Sequence, residues 1–248
     1  MDQVTVVTGG SRGIGAAVAV RLARAGHHIA IGFERAADAA DATAAKVRAE
    51  GVRCVTVRAD TSDAEQVDAL FDTARAELGA VTGLVNNAGI TGLLGRFTET
   101  SPEAMRRVID VNVTGALLCA RRAAREMSTR HGGAGGAIVN VSSSSATTGS
   151  PGEYVHYAAS KAAVDAMTVG LSKELAAEGI RVNSVQPGMT VTDIHTSMGD
   201  PERPWRAADR VPMGRPGEPE EIAGAIAWLL SADASYTSGA VLRVAGGL

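Results

Sequence analysis

Tyr157 and Lys161 are the residues whose types and spacing are best suited to acid–base chemistry. They lie four positions apart, so on a helix they share one face, one turn apart. A phenol has an ordinary pKa of about 10, and a nearby ammonium favours the ionised form and lowers that value. The pair therefore predicts a proton donor beside the charge that adjusts it. The alternative is an ordinary amphipathic helix, and only other motifs can decide between the two.

Two further motifs accompany this pair. A run of four serines, residues 142–145, begins where a predicted strand at 137–141 ends. Near the start of the chain, a β-rich run at 4–8 meets the glycine-rich turn at 9–15, and a helical pattern follows as far as Ala25. Glycines let the backbone turn sharply, and a helix N-terminus offers free N–H groups to a phosphate. The spacing G-x-x-x-G-x-G differs from the common G-x-G-x-x-G, and a plain glycine-rich turn is the alternative.

The rest of the chain alternates between strand and helix patterns. Further strands are predicted at 28–33, 52–59, 83–86, 180–186 and 240–244, and helices at 36–50, 63–78, 101–127, 154–179 and 219–230. This alternation predicts an α/β fold with one doubly wound parallel sheet. Residues 1–248 show neither a domain boundary nor an internal repeat. Residues 189–216 have little periodicity, and irregular stretches of this length are usually functional, so we expect a substrate lid there.

Composition and charge exclude several classes of function. The net charge is −3, which does not favour binding to nucleic acid or to an acidic membrane. The two cysteines, Cys54 and Cys119, are far apart, so neither a disulfide framework nor a zinc site is expected. No apolar run approaches the roughly 18 residues of a membrane span, and the N-terminus lacks the basic region of a signal peptide. We therefore expect a cytoplasmic protein that binds no metal.

Polar residues at predicted strand ends suggest a ligand crevice. Asp60 and Thr61 follow the third predicted strand, and Asn86-Asn87-Ala88-Gly89 follows the fourth. In open α/β sheets, ligands bind outside the carboxyl ends of the strands. Asp60 could also be the N-cap of the next helix. Asn112 falls inside a predicted helix, where a buried amide must find partners.

In this order and spacing, the motifs resemble the short-chain dehydrogenase/reductase family in its single-domain form. The resemblance covers essentially the whole chain, from Gly9 to the Pro187-Gly188 pair. It implies a seven-stranded Rossmann-type sheet, a nicotinamide cofactor, and hydride transfer between a carbonyl and an alcohol. Within the family, the sequence resembles the 3-oxoacyl-carrier-protein reductases and sugar dehydrogenases such as glucose 1-dehydrogenase. Glu178, where carrier-protein reductases often have a basic residue, disfavours an acidic carrier partner.

The resemblance also implies catalytic roles. Tyr157 exchanges a proton with the substrate oxygen, Lys161 lowers its pKa and holds the nicotinamide ribose, and Asn112 positions a water that relays protons. A serine polarises the carbonyl. The family's serine usually lies thirteen residues before the tyrosine, and this spacing gives Ser144. Alignment on the preceding strand gives Ser143 instead. We choose Ser143, because strand ends fix direction and loops absorb insertions.

The cofactor residues follow from the same resemblance. The glycine turn binds the pyrophosphate, two strand ends bind the adenosine, and the segment after the sixth strand lies by the nicotinamide. In chain order these residues are Gly9, Ser11, Arg12, Gly13, Ile14, Gly15, Asp60, Thr61, Asn87, Ala88, Gly89, Pro187, Gly188, Thr190 and Thr192. Tyr157 and Lys161 also contact the cofactor.

The end of the second strand bears on the choice between NADP and NAD. An NAD site usually has an acid there, which accepts hydrogen bonds from the ribose 2′-OH. Phe33 stands at this position, and Arg12 and Arg35 could bind a 2′-phosphate. Glu34 opposes this reading, because its carboxylate would repel a 2′-phosphate if it turned towards the pocket. Neighbours on an extended strand point opposite ways, so only one of Glu34 and Arg35 faces the pocket if the strand continues. We expect NADP(H) to be preferred over NAD(H).

Partners and substrate are less constrained. We expect a small carbonyl or alcohol substrate, with His195, Met198 and Trp205 of the lid either touching it or only packing. A homotetramer is also expected, partly because small residues recur on one face of the catalytic helix. The competing hypothesis is a non-catalytic, cofactor-sensing regulator, which would typically lack the Tyr or the Lys. A serine hydrolase would need a G-x-S-x-G elbow, which the serine run lacks.

Overall fold

A single parallel sheet of seven strands organises the protein in this computed structural model, which describes residues 3–248. The strand order is β3-β2-β1-β4-β5-β6-β7, so the chain reverses its direction across the sheet between β1 and β4. This is the doubly wound arrangement predicted from the alternating pattern. The strands are β1 (Val4–Thr8), β2 (His28–Phe33), β3 (Cys54–Arg58), β4 (Gly83–Asn86), β5 (Gly136–Val141), β6 (Ile180–Pro187) and β7 (Val241–Val244).

Helices cover both faces of the sheet. One core packs α1, α2 and α10 against the sheet, and a second core packs α3 and α5 against the other face. Both cores consist mainly of Ala, Val, Leu and Ile, in a chain of which only 3% of the residues are aromatic. The helices are α1 (Gly13–Arg24), α2 (Ala37–Ala49), α3 (Ala64–Leu78), α4 (Pro102–Ile109), α5 (Ala116–Met127), α6 (Ser145–Thr148), α7 (Val155–Glu174), α8 (Ile194–Ser197), α9 (Arg203–Arg206) and α10 (Pro219–Leu230).

Most predicted boundaries are confirmed, with a few corrections. The helix predicted over 101–127 is interrupted by a π-helical segment, Asp110–Gly115, between α4 and α5. The catalytic helix α7 ends at Glu174, and a separate 3₁₀ turn completes the segment predicted as helix. Asp63, rather than Asp60, caps α3, and its carboxylate accepts the backbone N–H groups of Glu65 and Gln66. The β3 strand begins at Cys54, two residues later than expected.

The segment 189–216, predicted to be irregular, contains only short helices. It holds α8, α9 and a 3₁₀ turn, Ala208–Arg210, and it is anchored by a β-bridge between Thr190 and Gly217. None of these helices exceeds four residues. Among residues 3–248, none of the helices combines the length and apolarity needed to cross a membrane.

Candidate active site

A cavity of about 460 Å³ opens at the carboxyl ends of the central strands. The glycine turn after β1, the serine run after β5, one face of α7 and the lid 189–216 form its walls. Its volume lies in the range of small-molecule and cofactor sites, about 300–1,000 Å³. The fold therefore gathers the motifs that the sequence singled out around one crevice, at the point where the strand order reverses.

Lys161 and Tyr157 lie on the face of α7 that lines this cavity, and both side chains are buried. Lys161 Nζ donates a hydrogen bond to the carbonyl oxygen of Val141 at 2.8 Å, which fixes it against the end of β5. The same nitrogen lies 5.7 Å from the centre of the Tyr157 ring. Burial lowers the pKa of Lys161 to about 8, against the opposing charge of Asp165. The spacing of the two residues on one helical face is as predicted.

The environment of Tyr157 raises the pKa of its phenol, contrary to the lowering expected from Lys161, and therefore favours the protonated form. Burial raises the pKa of the phenol, and the Ser143 hydrogen bond and the Arg203 charge act in the opposite direction. The Tyr154 ring packs edge-on against the Tyr157 ring, with centroids 5.1 Å apart. A buried phenol with a raised pKa is protonated at neutral pH, so it can act as a proton donor there.

The serine run places its hydroxyl groups differently. Ser142 donates to the backbone oxygen of Lys161, so it helps to hold α7 against β5. Ser143 Oγ accepts the N–H of Ser145 at 3.1 Å, and the Ser143 side chain acts to lower the pKa of Tyr157. Ser144 also lines the cavity, and its backbone N–H donates to Pro187. Both candidate serines line the cavity, and Ser143 is the one whose side chain affects the pKa of Tyr157.

Asn112 lies in the π-helical segment and is almost fully buried. Its Oδ1 accepts the N–H of Ile90 at 2.9 Å, and its Nδ2 donates to Ile90 O and to Ser160 Oγ. These bonds tie the segment after β4 to the catalytic helix α7. Asn112 is therefore behind the wall of the cavity, and its amide joins two of the elements that form it.

The glycine turn has the geometry of a phosphate cradle. Gly9 and Gly13 have φ of +62° and +52°, and a Cβ on Gly15 would lie 2.3 Å from Gly9 O. Helix α1 has neither a side-chain cap nor an acid in its first turn, so its first N–H groups stay available to an anion. Asn87 Nδ2 braces the turn through Thr8 O and Gly9 O. These residues fit the pyrophosphate of a dinucleotide.

The ends of β2 and β3 carry a network of charges. The β2 strand ends at Phe33, so the side chains of Glu34 and Arg35 meet, with N–O distances of 3.1 Å. Glu34 and Arg35 would point in opposite directions only if β2 continued past Phe33, and it does not. Arg107, from α4, donates to both Glu34 and Asp60. The sequence analysis missed Arg107, because nothing in the pattern of α4 indicates which strand ends its guanidinium reaches.

Several predicted residues lie away from the cavity lining. Thr61 is buried against Gly115, where a Cβ would come within 2.8 Å of its hydroxyl. Ser11 accepts the hydroxyl of Thr43 through its backbone oxygen. Neither these residues nor Arg35, Asp60 and Asn112 border the central cavity.

The lining residues instead include the other members of the predicted cofactor set. These are Gly9, Arg12, Gly13, Ile14, Gly15, Asn87, Ala88, Gly89, Pro187, Gly188, Thr190 and Thr192, together with Tyr157 and Lys161. Thr192 closes over the glycine turn, since its Cγ2 lies 3.2 Å from where a Gly13 Cβ would stand.

The lid contributes a buried arginine that the sequence analysis did not identify. Arg203 is 8% exposed, donates to Glu153 at 2.5 Å, and stacks 5.1 Å from the Tyr154 ring centre. His195 and Met198 are buried and line the cavity, whereas Trp205 is 54% exposed and does not. Burial lowers the pKa of His195, whose Nε2 bonds to Thr190 O. The buried His156 bonds to Thr91 O, in keeping with a structural role.

This fold and site define a nicotinamide-dependent oxidoreductase. The family model described as "Enoyl-(Acyl carrier protein) reductase" matches residues 9–248. The chain belongs to the short-chain dehydrogenase/reductase family, as the motifs predicted. The protein is accordingly an NAD(P)-dependent dehydrogenase/reductase acting on CH–OH or C=O groups.

Individual relatives agree with this assignment. The chain is 46% identical over 244 residues to the uncharacterized oxidoreductase YgfF of Escherichia coli, covering 98% of this chain and 99% of that protein. It is 43% identical to the cis-4-hydroxycyclohexanecarboxylate dehydrogenase of Sinomonas cyclohexanicum, covering 99% and 96%. A Burkholderia cenocepacia short-chain dehydrogenase, solved in complex with NADP, superimposes with a TM-score of 0.90 at 33% identity, covering 99% and 97%. The hypothesis of a non-catalytic regulator therefore gives way to that of an enzyme.

Proposed function

We propose that the protein reduces a small carbonyl substrate, with Tyr157 as the proton donor. The meeting of Tyr157, Ser143 and Lys161 on one wall of the cavity is the observation that carries this proposal. When bound, the nicotinamide supplies the hydride. Tyr157 gives its phenolic proton to the substrate oxygen, and the raised pKa of the phenol favours reduction at neutral pH. The Ser143 hydroxyl stabilises the negative charge that develops on that oxygen.

Lys161 and Asn112 serve the proton donor in this proposal. The Lys161 ammonium, held by Val141 O, favours the phenolate that remains after proton transfer, and it binds the nicotinamide ribose. Asn112 positions a water that returns protons to Lys161. Its location between the segment after β4 and α7 supports a role close to the site, although its side chain does not border the cavity.

We also propose that NADP(H) is preferred over NAD(H). Arg35, just past β2, and Arg12, in the glycine turn, supply guanidinium groups for a 2′-phosphate, and Phe33 occupies the usual position of a 2′-OH acceptor. The opposing acid, Glu34, forms ion pairs with Arg35 and Arg107, which reduces its repulsion of a phosphate. The Burkholderia relative solved with NADP supports the same preference.

The substrate class is proposed from the lid and the relatives. Residues 189–216 act as the substrate lid, with His195, Met198 and Arg203 facing the cavity. Polar side chains, among them Ser150, Glu153 and Tyr154, also line the cavity. A compact cyclic or short-chain ketone with a polar substituent fits these walls better than a long acyl chain. The hydroxycyclohexanecarboxylate dehydrogenase, 43% identical, points to the same kind of substrate.

A substrate screen tests this proposal. Purified protein is assayed with NADPH and NADH against 4-oxocyclohexanecarboxylate, its methyl ester, diketones, quinones, β-ketoacyl esters and sugars. We expect faster turnover of the cyclic and short-chain ketones than of the acyl esters, and a kcat/KM for NADPH above that for NADH. Turnover confined to the long acyl esters would contradict the proposed substrate class. A higher kcat/KM for NADH than for NADPH would contradict the proposed cofactor preference.

A cytoplasmic homotetramer completes the proposal. Ala162, Ala166 and Gly170, on one face of α7, are exposed to solvent in the monomer, as is Leu117 on α5, at 46%. Closed symmetric assemblies are the common outcome for soluble oligomers. Light scattering at micromolar concentration is expected to give about four times 25.3 kDa. A mass near that of one chain would contradict the tetramer. The buried, free Cys54 and Cys119 are compatible with a reducing compartment.

A further inference from the structure

Arg107 connects two loops that meet at the adenosine end of the site. Its Nη2 donates to Asp60 Oδ2 at 2.9 Å and to Glu34 Oε1 at 3.3 Å, and its Nη1 donates to Ser62 Oγ at 3.0 Å. Glu34 follows β2, whereas Asp60 and Ser62 follow β3. A guanidinium suits this task, because its forked donors can reach several acceptors at fixed angles.

Glu34 is the group whose charge matters most for the cofactor. Its Oε1 accepts three N–H groups, two from Arg35 and one from Arg107. Arg35 is 79% exposed at its side chain, whereas Arg107 is 38% exposed and is held by Asp60 and Ser62 as well. Arg107 is thus the more firmly placed of the two cations beside Glu34. An acid at this point of the fold either binds a ribose 2′-OH or repels a 2′-phosphate.

We propose that Arg107 is a specificity-determining residue that acts through Glu34, allowing a 2′-phosphate to bind beside an acid that would otherwise select NAD(H). This inference rests on the proposed preference for NADP(H). Two carboxylates, Glu34 and Asp60, share the Arg107 guanidinium, and its loss leaves both without that partner. Glu34 then keeps only the exposed Arg35 as a partner, so it repels the phosphate more strongly and can accept the 2′-OH of NAD.

The inference is tested by binding of the oxidised cofactors in the absence of substrate. Dissociation constants for NADP⁺ and NAD⁺ are measured by titration calorimetry on the parent protein, Arg107→Gln, Glu34→Gln and the double variant. Adenosine 2′,5′-bisphosphate and adenosine 5′-monophosphate, which differ only in the 2′-phosphate, serve as a second pair of probes. Arg106→Gln is the matched control, since Arg106 lies on the same helix and pairs with the exposed Glu103.

We expect Arg107→Gln to lower the preference for NADP⁺ over NAD⁺ by about tenfold or more, which corresponds to about 1.4 kcal/mol. In the Glu34→Gln background the same substitution is expected to change the preference little, because the charge that Arg107 balances is gone. Arg106→Gln is expected to bind as the parent does. An unchanged preference in Arg107→Gln would overturn the inference. An equal loss of preference in the parent and in the Glu34→Gln background would also overturn it, because it would show that Arg107 contacts the phosphate directly.

Two further measurements keep the outcomes distinct. If Arg107→Gln does not fold, Arg107→Lys keeps the charge but loses the fork, and it is expected to lower the preference by a smaller factor; a preference equal to that of the parent would count against the inference. A parent protein that binds NAD⁺ more tightly than NADP⁺ would contradict the proposed cofactor. Even then, the coupling between Arg107 and Glu34 would be measured by comparing the effect of Arg107→Gln on cofactor preference in the parent and in Glu34→Gln.

Discussion

The catalytic wall and the lid, on opposite sides of one cavity, are built in different ways. The wall consists of β5 and the 20-residue helix α7, and its polar groups are tied to backbone atoms, as Lys161 is to Val141 and Ser142 to Lys161. The lid consists of helices of four residues or fewer, anchored by the Thr190–Gly217 bridge and by side-chain ion pairs such as Arg203 with Glu153. The first construction holds reacting groups in fixed positions, and the second can vary without disturbing the sheet.

This difference assigns separate tasks to the two regions. A proton donor must keep its distance from the substrate oxygen to within a few tenths of an ångström, and long packed elements provide that constancy. Substrate choice requires side chains that differ between enzymes of one fold, and short loop segments carry these. We therefore expect substitutions in the wall to reduce turnover, and those in the lid to change substrate affinity or the pH dependence.

The largest effect that separates the two regions is expected at the serines of the wall. Ser143→Ala removes a hydroxyl that lines the cavity and lowers the pKa of Tyr157, and the loss of a donor to a developing oxyanion costs about 10²–10³ in kcat. Ser144→Ala, the matched control one residue away, is expected to cost less. Steady-state kinetics on both variants checks this. A larger loss in Ser144→Ala would move the catalytic role to that residue.

A smaller effect is expected at the lid. Arg203→Met breaks the ion pair with Glu153 and removes a charge that lowers the pKa of Tyr157. We expect kcat/KM to fall by about tenfold, equivalent to about 1.4 kcal/mol, mainly through KM.

The exposed Arg206, which pairs with Asp200 on the lid surface, provides the control. Arg206→Met is expected to behave as the parent does, since surface ion pairs contribute about 0–1 kcal/mol. Equal losses in both variants would mean that the lid responds to any disturbance, and that Arg203 has no distinct role.

A separate effect concerns stability and the burial of Lys161. Its pKa is about 8 in the folded protein and 10.5 as an ordinary lysine, so between these values the unfolded chain binds the extra proton. The free energy of unfolding of the parent should therefore rise with pH from about 8 to 10.5, relative to that of Lys161→Met. Urea unfolding at several pH values measures this difference. Parallel curves for the two proteins would contradict the burial of Lys161. The exposed Lys173 supplies a control, Lys173→Met, which should follow the parent.

The parts of the molecule that repeat local rules could be predicted from the sequence. Alternating patterns and the final helix at Pro219–Leu230 depend on neighbouring residues, and the structure bears them out. The single face shared by Tyr157 and Lys161 follows from the helical period in the same way. The family-level function was within reach because these local motifs occur in one order.

The remaining features depend on contacts between distant residues. Arg107 reaches Glu34 across 73 positions and Arg203 reaches Glu153 across 50, and no local pattern encodes such pairs. The π-helical segment around Asn112 is a further example, since its cause lies in bonds to Ile90 and Ser160 rather than in its own sequence. Each of these three features lies beside the site, where local rules yield to tertiary contacts.

The most direct test of the division between wall and lid is the turnover and cofactor affinity of Tyr157→Phe. Phenylalanine keeps the ring that packs edge-on against Tyr154, so the fold and NADP(H) binding should be retained. Without the phenolic proton, kcat is expected to fall by a factor of about 10² or more, the scale of general acid–base catalysis. A variant that binds the cofactor and turns over its substrate at the parental rate would show that Tyr157 is not the proton donor.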